Sequence, residues 1–103
     1  MTTCTVVEEP EGERVVLRFH GDFDRDGALK LQERIAALKR PALLDFTEVH
    51  DFDDLAAAML ARLVVEDHDG RIALRGLCEH QFRLFHYIGI ELDPITGRAH
   101  RRS

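Results

Sequence analysis

An α/β domain built on a mostly parallel sheet is the fold this sequence predicts, and three observations lead to it. After an opening pair of strand-like runs, strand-like and helix-like segments alternate, giving the order β-β-α-β-α-β-α-β. Such alternation implies right-handed crossovers between parallel strands, with the opening hairpin as an antiparallel edge. Second, three segments carry apolar residues at helical spacing. Third, 103 residues with 45% apolar and 32% charged side chains suit one globular domain. The expectation is a four- to five-stranded sheet with about three to four helices.

The elements follow in order. Residues 3–7, TCTVV, are rich in β-branched side chains and predict a short strand. PEGE at 10–13 is a turn signal. Residues 14–20, RVVLRFH, place Val15, Leu17 and Phe19 on one face at period two, a second strand that Gly21 ends. In GDFDRDG, Asp24 or Asp26 is suited to cap the next helix by accepting its orphan N–H groups. Ala28, Leu31, Ile35 and Leu38 draw one apolar stripe along that helix, and Pro41 stops it. ALLDF, residues 42–46, is an apolar run broken by Asp45 and reads as a central strand covered on both faces.

The acidic stretch TEVHDFDD follows, then a helix from about 54 to 66. Ala56, Met59, Leu60 and Leu63 give its i, i+3, i+4, i+7 pattern, and alanines at 56, 57, 58 and 61 permit close backbone approach. DHDG at 67–70 is a loop, RIALR at 71–75 a strand, and Gly76 a break. Residues 78–88 predict a third helix with Leu84, Phe85 and Ile88 on one side, and Gly89 just past its end. Residues 90–92 form a short last strand, and Asp93-Pro94 ends regular structure.

The formal charge is −5, unevenly spread. Arg98, Arg101 and Arg102 are three of the 14 basic residues; the other 11 face 19 acids, so residues 1–97 carry a net −8. An acidic body argues against nucleic acid, whose phosphates attract clustered Lys and Arg. Residues 1–97 are expected to form the domain, and 98–103 a basic, frayed tail. Cys4 and Cys78, far apart, form neither a metal spacing nor a disulfide framework, which fits a reducing cytoplasm. No signal-peptide pattern and no run of about 18 apolar residues is visible, so no membrane insertion is expected.

The most specific stretch is DFDDLAAAML, residues 51–60, where Asp51, Asp53 and Asp54 crowd three carboxylates ahead of an apolar run. DFDD resembles the DxDD of class II terpene cyclases, but those enzymes are several-fold longer. Carboxylates suit Mg²⁺ or Ca²⁺, yet neighbouring residues at a helix start point different ways, and no EF-hand Gly and Glu spacing occurs. A phosphoacceptor pocket would need a lysine across from the acids, whereas Lys30 and Lys39 both lie on the first helix. The six histidines, of which His50, His68 and His80 fall at loops or element ends, form no HxxxH or HExxH. Cys78 with His80 or His86 lacks an orienting third group. No Walker A or GxGxxG loop is present. The residues thus offer no catalytic constellation, no metal site and no cofactor motif. The plain alternative is that Asp53 or Asp54 caps the second helix and complements its dipole.

These features in this order resemble STAS domains, a family that includes bacterial anti-sigma-factor antagonists. FHGDFD follows the second strand, LLDFTEVHDFDD precedes an Ala-rich helix, and RLFHYIGI lies near the end. Gly21, Phe23 and Asp24 match the family's G-x-hydrophobic-D; Leu44, Asp45, Phe46 and Val49 match its central strand and following turn. Asp53 matches the Asp of D-S-S-G-L, and Arg83, Leu84, Phe85 and Gly89 match the third helix and its end. The resemblance spans about residues 5 to 92.

It implies a regulatory binding module and no enzyme. In that family the first Ser of D-S-S-G is phosphorylated by a kinase that is itself the anti-sigma factor. Here Asp54, Leu55 and Ala56 stand at the Ser, Ser and Gly positions. A carboxylate cannot take the usual phosphoester, so no phosphorylation site is expected; Asp54 would instead supply one fixed negative charge where phosphoserine carries about −1.5 to −2. The expected partner-binding residues are Asp24, Asp51, Asp53, Asp54, Leu55, Ala56 and Met59. The expected partner is an anti-sigma factor of the serine-kinase type or, as the alternative, the ATPase of an ABC lipid transporter to which the chain is an accessory subunit. A small acid-cluster, metal-dependent enzyme is the third reading.

Overall fold

The computed structural model describes residues 4–67, 69–93 and 96–101. Thr3, His68 and Pro94, named above, lie outside the described residues, as do Arg102 and Ser103. The chain begins with β1 (Thr5–Glu11) and β2 (Arg14–Phe23), paired antiparallel. The hairpin loop is two residues, Gly12 and Glu13, with Gly12 at φ 64. A two-residue hairpin loop favours such a left-handed glycine at its first position. The strands are longer than the turn signal suggested: Pro10 lies within β1 opposite Val15, tolerated because β1 is the edge strand.

α1 (Arg25–Ala37) starts at the Asp24 cap, whose side chain accepts from the Gly27 amide at 2.9 Å. Ala28 and Leu31 are buried, and Ile35 and Leu38 pack against the core, as the stripe predicted. β3 (Ala42–Phe52) follows, then α2 (Asp54–Val65), β4 (Ile72–Arg75), α3 (Glu79–Tyr87), β5 (Ile90–Leu92) and β6 (Ala99–Arg101). The main sheet has the order β1-β2-β3-β4, with β2-β3 and β3-β4 parallel. The expected mostly parallel α/β sheet, with its antiparallel first strand, is the observed architecture.

Five local expectations need correction. β2 runs through Gly21 to Phe23, and β3 runs on from Phe46 to Phe52, where a loop was expected. The two extensions hold each other: His20 pairs with Glu48, Gly21 with Val49 and Phe23 with Phe52, across two register shifts that absorb extra residues in β3. β5 does not join the main sheet but pairs antiparallel with β6 in a separate ribbon. Residues 99–101 of the basic tail are therefore a strand and not a frayed end. Ile88 is 44% exposed, not part of the buried side of α3; Phe85 alone of that trio is fully buried.

All three helices feed one core on one face of the sheet. Val15, Leu17 and Phe19 of β2, Ala42, Leu44 and Phe46 of β3, and Ile72 and Leu74 of β4 meet Leu31, Leu60, Val64 and Phe85 there. At its upper end an aromatic cluster joins strands to helices. Phe19 and Phe46 stack at 5.1 Å, Phe23 meets both edge-on, and Phe52 reaches Phe85 of α3 at 5.9 Å. Each such pair contributes about 0.5–1.5 kcal/mol beyond its buried area.

The helices lie on one face of β3, yet residues 42–46 are buried on both faces, as the apolar run predicted. The other face explains the break in ALLDF. Asp45, its side chain 6% exposed, accepts from the Thr47 amide (2.9 Å) and hydroxyl (2.6 Å), and from Arg75 (3.1 Å) and Arg18 (3.4 Å). Burial alone would raise its pKa; the bonds from Thr47 and Arg75 outweigh burial and hold it at about 2. Gly76, at φ 81, lies against this clasp: a Cβ there would come within 2.2 Å of the Thr47 hydroxyl and 2.6 Å of its amide nitrogen. Both outer edges of the sheet are guarded. β1 carries Glu8, Glu9, Pro10 and Glu11, and the outward amides of Ile72 and Leu74 bond to the Asp67 carboxylate and the Gly97 carbonyl.

Candidate functional site

The parallel strands β2 and β3 end side by side, and α1 and α2 start from those ends. The Asp53 amide donates to the Phe23 carbonyl at 3.0 Å, tying the two exits together. Two consecutive aspartate caps follow from this layout. Asp24 is half-buried; Asp53 is exposed and accepts from the Leu55 amide at 2.8 Å. Each cap satisfies an orphan N–H and sets negative charge at the positive end of a helix dipole.

A shallow depression of about 530 Å³ lies between these ends and the start of α3. Asp24, Asp51 and Asp53 line it, so three of the sequence-predicted residues are brought together. Asp22, His50, Cys78 and His80 line it as well. Asp22 and His50 are direct neighbours of the motifs GDFD and HDFDD; Cys78 and His80 arrive only because α3 folds back over Phe52, which no local pattern announces. Among the described residues, no three His, Cys, Asp or Glu side chains are placed to share a metal ion.

Asp54 is exposed in the first turn of α2, and Leu55 beside it is 55% exposed. Met59, one turn on, is partly buried against the core. Ala56 must be corrected: it is fully buried, on the core side of α2 with Leu60, and cannot touch a partner. Its spacing belongs to the inward stripe, and the resemblance to a motif Gly had placed it on the outward one. The surface at this helix start is therefore Asp51, Asp53, Asp54 and Leu55, with Asp24 set back.

No helix among the described residues is long and apolar enough to cross a membrane. Comparison with solved structures gives the fold. A crystal structure described as that of Mglu superposes with a TM-score of 0.60 at 23% identity; the match covers 71% of this chain and 19% of that one. A protein of the DUF3478 family from Shewanella loihica PV-4, described as having a SpoIIAA-like fold, is 19% identical with a TM-score of 0.48, covering 84% of this chain and 77% of that one. No curated protein sequence matches the chain. A family model described as "Mlab, STAS domain" matches residues 6–95, a span holding the main sheet except Thr5, all three helices and the acidic helix start. The chain belongs to the STAS domain family.

Proposed function

We propose that this protein is a non-catalytic regulatory module that docks a protein partner through the start of α2. The observation that carries the reading is the exposure of Asp51, Asp53, Asp54 and Leu55 at a helix start, where the family resemblance sets Asp54 at the phosphoacceptor position. STAS domains mediate protein–protein contacts, and an apolar side chain ringed by fixed charges suits a partner offering Arg or Lys around an apolar pocket. Asp54 makes the negative charge permanent, so docking at this surface does not wait for a kinase. Cys4 and Cys78 are not joined to each other by a disulfide, which suits a reducing compartment.

The first partner class is an anti-sigma factor of the serine-kinase type. The second, the ATPase of an ABC lipid transporter, is favoured by one observation: Asp54, Leu55 and Ala56 depart from the D-S-S-G motif, whose positions accessory subunits of that kind also vary. Affinity capture from a native lysate separates the two, because either a GHKL-type kinase or a transporter ATPase is retained. Asp54→Lys, with an unchanged circular dichroism spectrum, is expected to lose that protein. Retention by the variant equal to the parent would overturn docking at this surface.

A further inference from the structure

A separate cavity lies away from the acidic helix start, at the margin of the sheet face that carries no helix. Its volume is about 400 Å³, within the usual range of small-molecule sites. Leu43 of β3, Leu77 after β4, Phe82 of α3 and Leu92 of β5 give it an apolar lining. Leu43 is buried, whereas Phe82 is 38% exposed, a ring left bare at the wall. The turn after β5 closes the cavity and is already fixed in place. The Gly97 amide donates to the Asp93 carbonyl at 2.8 Å, and the Gly97 carbonyl accepts from the Leu74 amide at 2.7 Å, which pins the turn to β4. A Cβ at Gly97 would come within 2.4 Å of the Leu74 carbonyl oxygen, so only glycine lets the turn sit this close.

Among the described residues, three charged groups line the same cavity: Arg14, Arg75 and Asp93. Arg14 donates from Nε and Nη2 to Glu11 at 3.2 and 2.6 Å, and Arg75 donates from Nη2 to Asp45 at 3.1 Å. A guanidinium has five N–H donors, so both arginines keep others beyond these bonds, and the acids they pair with fix how the forks lie. Asp93 accepts from the Thr96 amide at 3.3 Å, which takes one of the several lone pairs of a carboxylate. This mixture of charges is selective. A simple carboxylate would meet repulsion from Asp93, and a simple amine would meet it from two guanidiniums. A molecule carrying both charges satisfies both.

We infer that this cavity binds a small apolar zwitterion: a free amino acid with a large hydrocarbon side chain, or a very short peptide of such residues. The guanidiniums of Arg14 and Arg75 take its carboxylate, Asp93 takes its ammonium, and its hydrocarbon part covers Phe82 and Leu77. Charge-assisted bonds fix the orientation, and burial of the bare ring adds the apolar share. A ligand this small makes few contacts, so binding is weak and reversible, with a dissociation constant of about 1 mM. The cavity shares no residue with the acidic surface at the start of α2.

Amide chemical shifts of the purified full chain, followed as L-leucine and L-leucyl-L-leucine are added in separate titrations, test this. The amides of Gly76, Leu77, Thr96 and Gly97 should move, and those of Asp53 and Asp54 should stay. Whichever ligand binds more tightly tells amino acid from peptide. Isocaproate, which lacks the ammonium, and isoamylamine, which lacks the carboxylate, should each bind at least about fivefold more weakly than leucine. Arg14→Gln, at an exposed position on β2, and Phe82→Ala, at an exposed position on α3, should each weaken binding by about tenfold while the remaining spectrum is unchanged. No movement at those amides with either ligand, equal binding of either singly charged analogue, or indifference to both variants overturns the inference. None of these results bears on capture of a protein at the start of α2, so the docking reading stands or falls separately.

Discussion

Asp45 and the trio Asp51, Asp53 and Asp54 lie on one continuous stretch of chain, β3, the Asp53 cap and the first residue of α2. In the body of the sheet, Asp45 is buried, accepts from Thr47, Arg18 and Arg75, and has its pKa pulled to about 2. At the end of the sheet, Asp51, Asp53 and Asp54 are exposed, and only Asp53 is tied down, by a cap. A carboxylate whose lone pairs are consumed internally is part of the fold. A carboxylate left facing solvent at a helix start is available to something else. Sequence pattern treats the four alike, as acids in or beside an apolar run; their surroundings separate them.

Five changes test that separation, and the largest acts on the Asp45 clasp from outside. Gly76→Ala puts a Cβ into the Thr47 amide at a left-handed residue, and strain plus overlap should cost about 3 kcal/mol in urea unfolding. A loss under about 1 kcal/mol would show that the clasp yields easily. Asp45→Asn comes next, at about 2 kcal/mol near neutral pH. The folded pKa of about 2 lies below the ordinary 3.8, so this stability is present above about pH 4 and drains away as pH falls toward 2. The parent and the Asn variant should therefore converge in stability at about pH 2; curves that stay parallel would remove Asp45 from the acid limb.

Asp53→Ala should cost about 1 kcal/mol, the usual value of a cap, and shorten amide-exchange protection in the first turn of α2. Smallest of all, Asp51→Ala should shift stability by no more than about 0.5 kcal/mol. Asp54→Lys should change it by about 1 kcal/mol at most, through the helix dipole alone. A large stability loss at Asp51 or Asp54 would place these acids with Asp45 and leave the docking surface without its charge.

The alternation of strands and helices was legible because each element carries its own period: Val15, Leu17 and Phe19 at two, Ala28, Leu31 and Ile35 at three and four. The Asp24 cap and the Gly89 stop were legible because capping is a contact within one turn. The second half of β3 was not. TEVHD has no apolar alternation, and it is a strand only because the end of β2 lies alongside it, with Phe23 set beside Phe52. The pairing of β5 escaped for the same reason: IEL was read as a short strand, but AHR is too short to declare itself, and the two form a ribbon only with each other. Ala56 was misplaced because a motif resemblance says which position is occupied, not which way it faces.

The sequence alone determined the order of elements, the core stripe on α1 and the gathering of acids ahead of α2, since hydrophobic period, caps and charge act between residues close along the chain. Only the tertiary structure decided which acid is clasped and which is bare, how far β3 runs, and that Cys78 and His80 arrive beside Asp53. Those outcomes depend on contacts between segments far apart in sequence, whose energies no local window contains.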